Sequence, residues 1–113
     1  MAAIANLTLD QGATFNSDVT VKDANGNAFN LTGYTASAKM AKGYASTRTR
    51  TTITATISGD PTTGIVTLSL TADETSALDA ERYVYDLEIL QTSTSTVTRV
   101  IEGIITVRPS VTT

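Results

Sequence analysis

The chain has no cysteine, no histidine and no tryptophan, and only two prolines, Pro61 and Pro109. Without cysteine there are no disulfides and no thiolate ligands. Without histidine the commonest general base and the usual zinc and copper ligand are missing. A serine or threonine nucleophile would have to use Lys22, Lys39, Lys42 or a carboxylate as its base, and nothing in the sequence frames such a dyad. The expectation is a protein that is not an enzyme and takes no cofactor or metal. No apolar run reaches the length of a membrane span. The N-terminus lacks a basic segment followed by an apolar stretch, so no secretory signal is expected. A concentrated basic field is missing too. Residues 1–57 carry five basic and three acidic groups, and residues 58–113 carry three basic and eight acidic ones, which gives −3 overall. That balance argues against a nucleic-acid partner, and a soluble chain without membrane contact is expected.

What the chain does have is threonine, 23 residues of it, with valine and isoleucine in alternating patterns. Such residues suit a pleated, half-buried surface. At 113 residues the sequence fits one domain, 1–113, which can bury about two-thirds of its unfolded surface. Period-2 alternation marks strands at Leu7–Leu9, Phe15–Val21, Tyr34–Met40, Ile53–Ile57, Val66–Leu70, Arg82–Leu90 and Thr96–Val107. In the last of these both registers are apolar near Val100 to Ile105, so the strand is either buried on both sides or changes face, with Gly103 the candidate bulge that would reset the inward face. The connector Gln91 to Ser95 is read as a long, mobile hairpin loop. Residues 1–6 are expected to form a loose or interface-dependent arm, and 109–113 a tail.

Turn chemistry separates these segments. Asn25-Gly26 within Asp23–Asn27 is the strongest short hairpin signal, and Gly59–Gly64 is a dense turn. Asp23, Asn25 and Asn27 also mimic the start of a calcium loop, but the distal Glu and flanking helices are missing. The period changes once. Thr71-Ala72-Asp73-Glu74 matches a capping box, so one short helical turn is expected over 72–78, with Ala77 or Leu78 as its apolar contact. Asp79 to Tyr85 has the spacing of the corner where immunoglobulin-type sandwiches cross between sheets, with Tyr83 in the tyrosine position. Glu81 stands where Gly is usual there, and Tyr85 where Cys is usual. The whole pattern predicts an all-β, immunoglobulin-like antiparallel sandwich of about seven strands. An eight-strand barrel is the alternative.

Two groups of residues invite a chemical role. Asp86 and Glu88 share one strand face about 6.6 Å apart, with Glu102 a neighbour across the ladder. Paired carboxylates serve glycoside hydrolysis, which also needs a sugar-sized cleft; a solvated face paired with Arg99 or Arg82 is the simpler expectation. Lys42, Tyr44, Arg48 and Arg50 form the one basic cluster, on a loop with an aromatic inside it. Arginine with tyrosine is hot-spot composition at protein interfaces, so these four are the candidate protein-interface residues. Tyr44 is also the obvious exposed aromatic for an alternative role, a carbohydrate-binding or adhesion module.

In order, Phe29–Thr35 (FNLTGYT), Val66–Thr71 (VTLSLT), Arg82–Ile89 (RYVYDLEI) and Val97–Gly103 (VTRVIEG) with Val107 and Pro109 resemble small virion proteins of tailed bacteriophages. The likeness is to the cyanophage type, and the N-terminal domain of phage baseplate upper proteins is similar as well. The resemblance covers most of residues 7–109. It implies an immunoglobulin-like domain built into a virion assembled in the host cytoplasm: a head decoration or cement protein, or a neck, tail or baseplate component. The implied partners are other capsid, neck or tail subunits, including further copies of the same chain. The motif is a fold signature and transfers no catalytic residues.

Overall fold

The structure is a computed structural model that describes residues 3–43 and 50–111. Eight strands follow in chain order: β1 Ala3–Ile4, β2 Leu7–Asp10, β3 Phe15–Thr20, β4 Tyr34–Ala41, β5 Thr51–Ile57, β6 Ile65–Leu70, β7 Arg82–Gln91 and β8 Thr96–Arg108. A 3-10 turn, Pro61–Thr63, precedes β6, and a helix α1, Ala72–Ser76, follows it. The alternating apolar residues face one another across two layers. Leu9, Val19, Met40, Ile53, Leu68, Leu87, Ile101 and Ile105 are all at most 7% exposed. The fold is an all-β sandwich, as the alternation predicts.

One layer runs β1/β2–β8–β7–β4–β5, and the other β5–β6–β3. β5 belongs to both. Its residues Thr51–Ile53 pair with β4, and Thr54–Ile57 pair with β6. The sheet therefore curls without a break along that side. Among the described residues it does not close into a barrel, because β2 pairs only with β8 and β3 only with β6. The antiparallel expectation needs correction at one edge, where β1 and β2 run parallel to β8.

The N-terminal arm also needs correction: residues 3–6 are docked. Ala5 N–H donates to Glu102 O at 2.9 Å, Ile104 N–H donates to Asn6 Oδ1 at 3.1 Å, and the Tyr85 hydroxyl donates to Ala5 O. Gly103 makes this possible. It pairs with Tyr85 in register, and a Cβ there would lie on the Ala5 carbonyl. Gly103 is thus a site of close backbone approach, and the bulge lies three residues earlier. Leu87 faces Ile101 and Glu88 faces Arg99, which leaves Val100 as the extra residue. The one-residue insertion keeps Thr98 and Ile101 on the inner side of the ladder.

The helix is shorter than its expected span, but its capping box is formed: Glu74 N–H donates to Thr71 Oγ1, and Thr71 N–H to Glu74 Oε1. Leu78 is the apolar contact and Ala77 is exposed. Thr75, fully buried, donates its hydroxyl to Ala13 O at 2.9 Å and so ties the helix to the turn between β2 and β3. The β7–β8 connection is a short turn, Thr92–Ser95, with Ser95 in the left-handed region at φ 57°. Thr92 bonds to Gly33 O through both its N–H and its hydroxyl.

Gly103→Ala is expected to cost about 1–3 kcal/mol, as overpacking does, and to speed amide exchange at Ala5 and Ile104 selectively. Denaturant titration and hydrogen exchange measure the two effects. A second expectation concerns pH. Burial pushes the Tyr85 phenol up to about 12, so the folded state prefers the neutral phenol. Its contribution is complete below the unfolded value near 10 and is lost as pH rises through about 12. Tyr85→Phe should lose about 1 kcal/mol at neutral pH for the missing hydrogen bond and show a flatter alkaline decline in urea midpoint.

Candidate functional site

The residues with chemical potential fall into four places on the sandwich. The first is the corner before β7. Asp79 N–H donates to the Tyr83 hydroxyl at 2.9 Å, and that hydroxyl points back at Asp79 O at 3.3 Å. This is the tyrosine-corner geometry. Glu81 does not disturb it: its N–H donates to Asp79 O at 2.9 Å, and its carbonyl accepts from Val107 N–H at 2.9 Å. Lys42 reaches across from the end of β4 to the carboxylates of Asp79 and Glu81, the latter at 2.8 Å. The two acids hold its ammonium well above the usual lysine range.

Of the four residues of the basic cluster, Lys42 is thus committed to the corner. Arg50 donates to Gly43 O at 3.2 Å and so bridges the two ends of the loop. Tyr44 and Arg48 lie outside the described residues. The cluster's interface role therefore rests on composition, with one of its charges already neutralised.

The second place is the outer face of the β8–β7–β4 layer. The register sets Glu102 against Asp86, and Asp86 against Lys39 on its other side. Arg99 spans the two acids, with Nε 3.3 Å from Asp86 Oδ2 and Nη1 3.4 Å from Glu102 Oε2. The Val100 bulge brings it there, because Arg99 would otherwise stand one residue further along the ladder. Glu88 faces Arg99 in register. The three carboxylates share one half-buried face, and the guanidinium bridges two of them. Exposed apolar residues flank that face, Val97 at one end and Ile104 and Ile4 at the other.

The third is a cleft of about 320 Å³ between the layers, at the end opposite the corner. Phe29 and Tyr34 meet edge-on in its wall, with ring centroids 5.4 Å apart. Ile89 and Val100 line it as well, with Lys22 and Arg99. The sequence pattern marks Phe29 as a residue that closes over the core; it is half-buried and open to this cleft. Asp23, also in the lining, spends Oδ1 on its own turn, accepting from Asn25 and Asn27 N–H, which is the hairpin geometry its sequence predicts.

The fourth place is the open side. β2 and β3 are the last strands of opposite layers, joined by the turn 11–14. A groove of about 350 Å³ runs between them, lined by residues 6–10 and 13–17. Alternation within each strand gives no sign that these two edges will lie side by side. The nearest signal is the shortness of the turn at Gln11-Gly12.

No protein-family model matches the chain, and no curated protein matches it in sequence.

Arg99→Ala should leave Asp86 and Glu102 directly opposed, and like charges across a ladder destabilise. The expected loss is at most about 1 kcal/mol for a partly exposed cluster. It should shrink as salt is raised, because screening relieves the repulsion. Urea unfolding at low and high salt checks both.

Proposed function

We propose that the chain is a non-enzymatic structural subunit of a tailed-bacteriophage virion, acting through protein–protein contacts as a head decoration, neck, tail or baseplate component. The observation that carries this reading is the open side of the sandwich. β5 closes one flank by serving both layers, while β3 ends its layer with backbone groups that no other strand among the described residues takes. An unpaired edge is a natural template for a neighbouring chain. Two further features support it. The order of motifs from Phe29 to Pro109 resembles virion proteins, and Ile4, Val97 and Ile104 are apolar side chains held out to solvent. A carbohydrate-binding module is the second reading, favoured by the Phe29–Tyr34 cleft.

Mass spectrometry of purified particles tests the first reading. The chain should be present at a fixed ratio to the major capsid or tail protein and survive washing in high salt. Its absence from intact particles would overturn the proposal. A glycan array separates the second reading, since binding that Tyr34→Ala abolishes would favour a carbohydrate role.

A further inference from the structure

We infer that the outer edge of β3 accepts an extended strand from a different protein, and that Asp18 selects a strand carrying lysine or arginine opposite it. This rests on the assembly reading above and specifies its chemistry. Two backbone bonds fix the phase of the ladder: Val21 N–H donates to Gly64 O at 2.7 Å, and Ser58 N–H to Ile65 O at 3.0 Å. Along an antiparallel strand, residues that bond to one neighbour alternate with residues that turn away from it. Ile65, Thr67 and Ser69 therefore turn toward β5, and Val66, Leu68 and Leu70 toward β3. Their register partners on β3 are Val19, Ser17 and Phe15. The N–H and C=O groups of Asn16, Asp18 and Thr20 are left pointing away from the sheet, and among the described residues β3 pairs with no second strand.

The groove between β2 and β3 gives the inward side chains of an added strand a place to lie. Charge decides which strand. A twofold antiparallel pairing of β3 with its own copy that uses all three outward residues sets Asn16 against Thr20 and Asp18 against Asp18. Like charges directly opposite each other destabilise such a pair. Asp18 is held in place beside the edge, because its Oδ1 accepts the Thr67 hydroxyl at 2.6 Å. Its second oxygen remains for an incoming cation. The same carboxylate that opposes self-pairing therefore favours a basic partner strand, which is attraction and exclusion by one residue.

Amide exchange by NMR on the full chain tests this, with the synthetic peptide Val-Thr-Val-Lys-Val-Thr-Val as probe and a version with Glu for Lys as control. In the free protein the Asn16, Asp18 and Thr20 amides should exchange at least about tenfold faster than those of Ser17 and Val19, the contrast between solvent-facing and paired groups. The Lys peptide should slow those three amides and the Glu peptide should not. Asp18→Asn should make the two peptides equivalent. Equal protection of all five amides in the free chain would overturn the inference, as would equal binding of both peptides, or binding of neither. If neither peptide binds while the chain is found in purified particles, the edge assignment falls and the assembly reading stands. If the Lys peptide binds and the chain is absent from particles, the reverse holds.

Discussion

A single strand shared between two sheets sets the shape of this molecule. β5 leaves β4 after Ile53 and joins β6 at Thr54, so the layers are hydrogen-bonded into one curl on that flank. The inward side chains do not change phase at the crossing: Ile53, Ala55 and Ile57 all face the interior. The curl carries the layers over the core without a gap. Its cost appears on the far flank. β2 and β3, only a short turn apart, end in different layers and leave their edges side by side without a shared ladder.

That open flank is stabilised from behind. Leu9 and Phe15, 3% and 8% exposed, keep the interior dry beneath the two edges. Thr75 anchors the intervening turn to the helix, and Gln11 donates to Leu78 O at 2.6 Å. The parallel strands β1 and β2 are fixed to β8 by a small set of complementary features. Gly103 lets the Ala5 backbone come close, Tyr85 bonds the carbonyl it brings, and Asn6 supplies a side-chain acceptor for Ile104 N–H. Together these contacts fix the β2 side of the open flank to the main layer.

Features encoded by neighbouring residues were legible in the sequence. Alternation located the strands from β2 to β8 to within a residue or two. Thr71 and Glu74 announced the helix start, Asn25-Gly26 the tight turn, and Tyr83 the corner. Features encoded by distant residues were not. The docking of residues 3–6 depends on Gly103 and Tyr85, so the arm looks free when read alone. The β5 crossing leaves no mark because alternation continues unbroken through it. Both registers of β8 are apolar around Val100–Ile105, so periodicity does not place the bulge, which falls at Val100 and not at the glycine. The engagement of one member of the basic cluster is hidden for the same reason. Lys42 looks unengaged until Asp79 and Glu81, almost forty residues on, are folded beside it.

The open flank exists only if the curl closes at β5 and stays open between β2 and β3. Cross-strand nuclear Overhauser contacts along the backbone report this directly. Thr51–Ile53 should show contacts to β4 and Thr54–Ile57 contacts to β6, with no ladder contacts between Leu7–Asp10 and Phe15–Thr20. A continuous ladder between those last two strands would mean a closed barrel without a free β3 edge, and would contradict it.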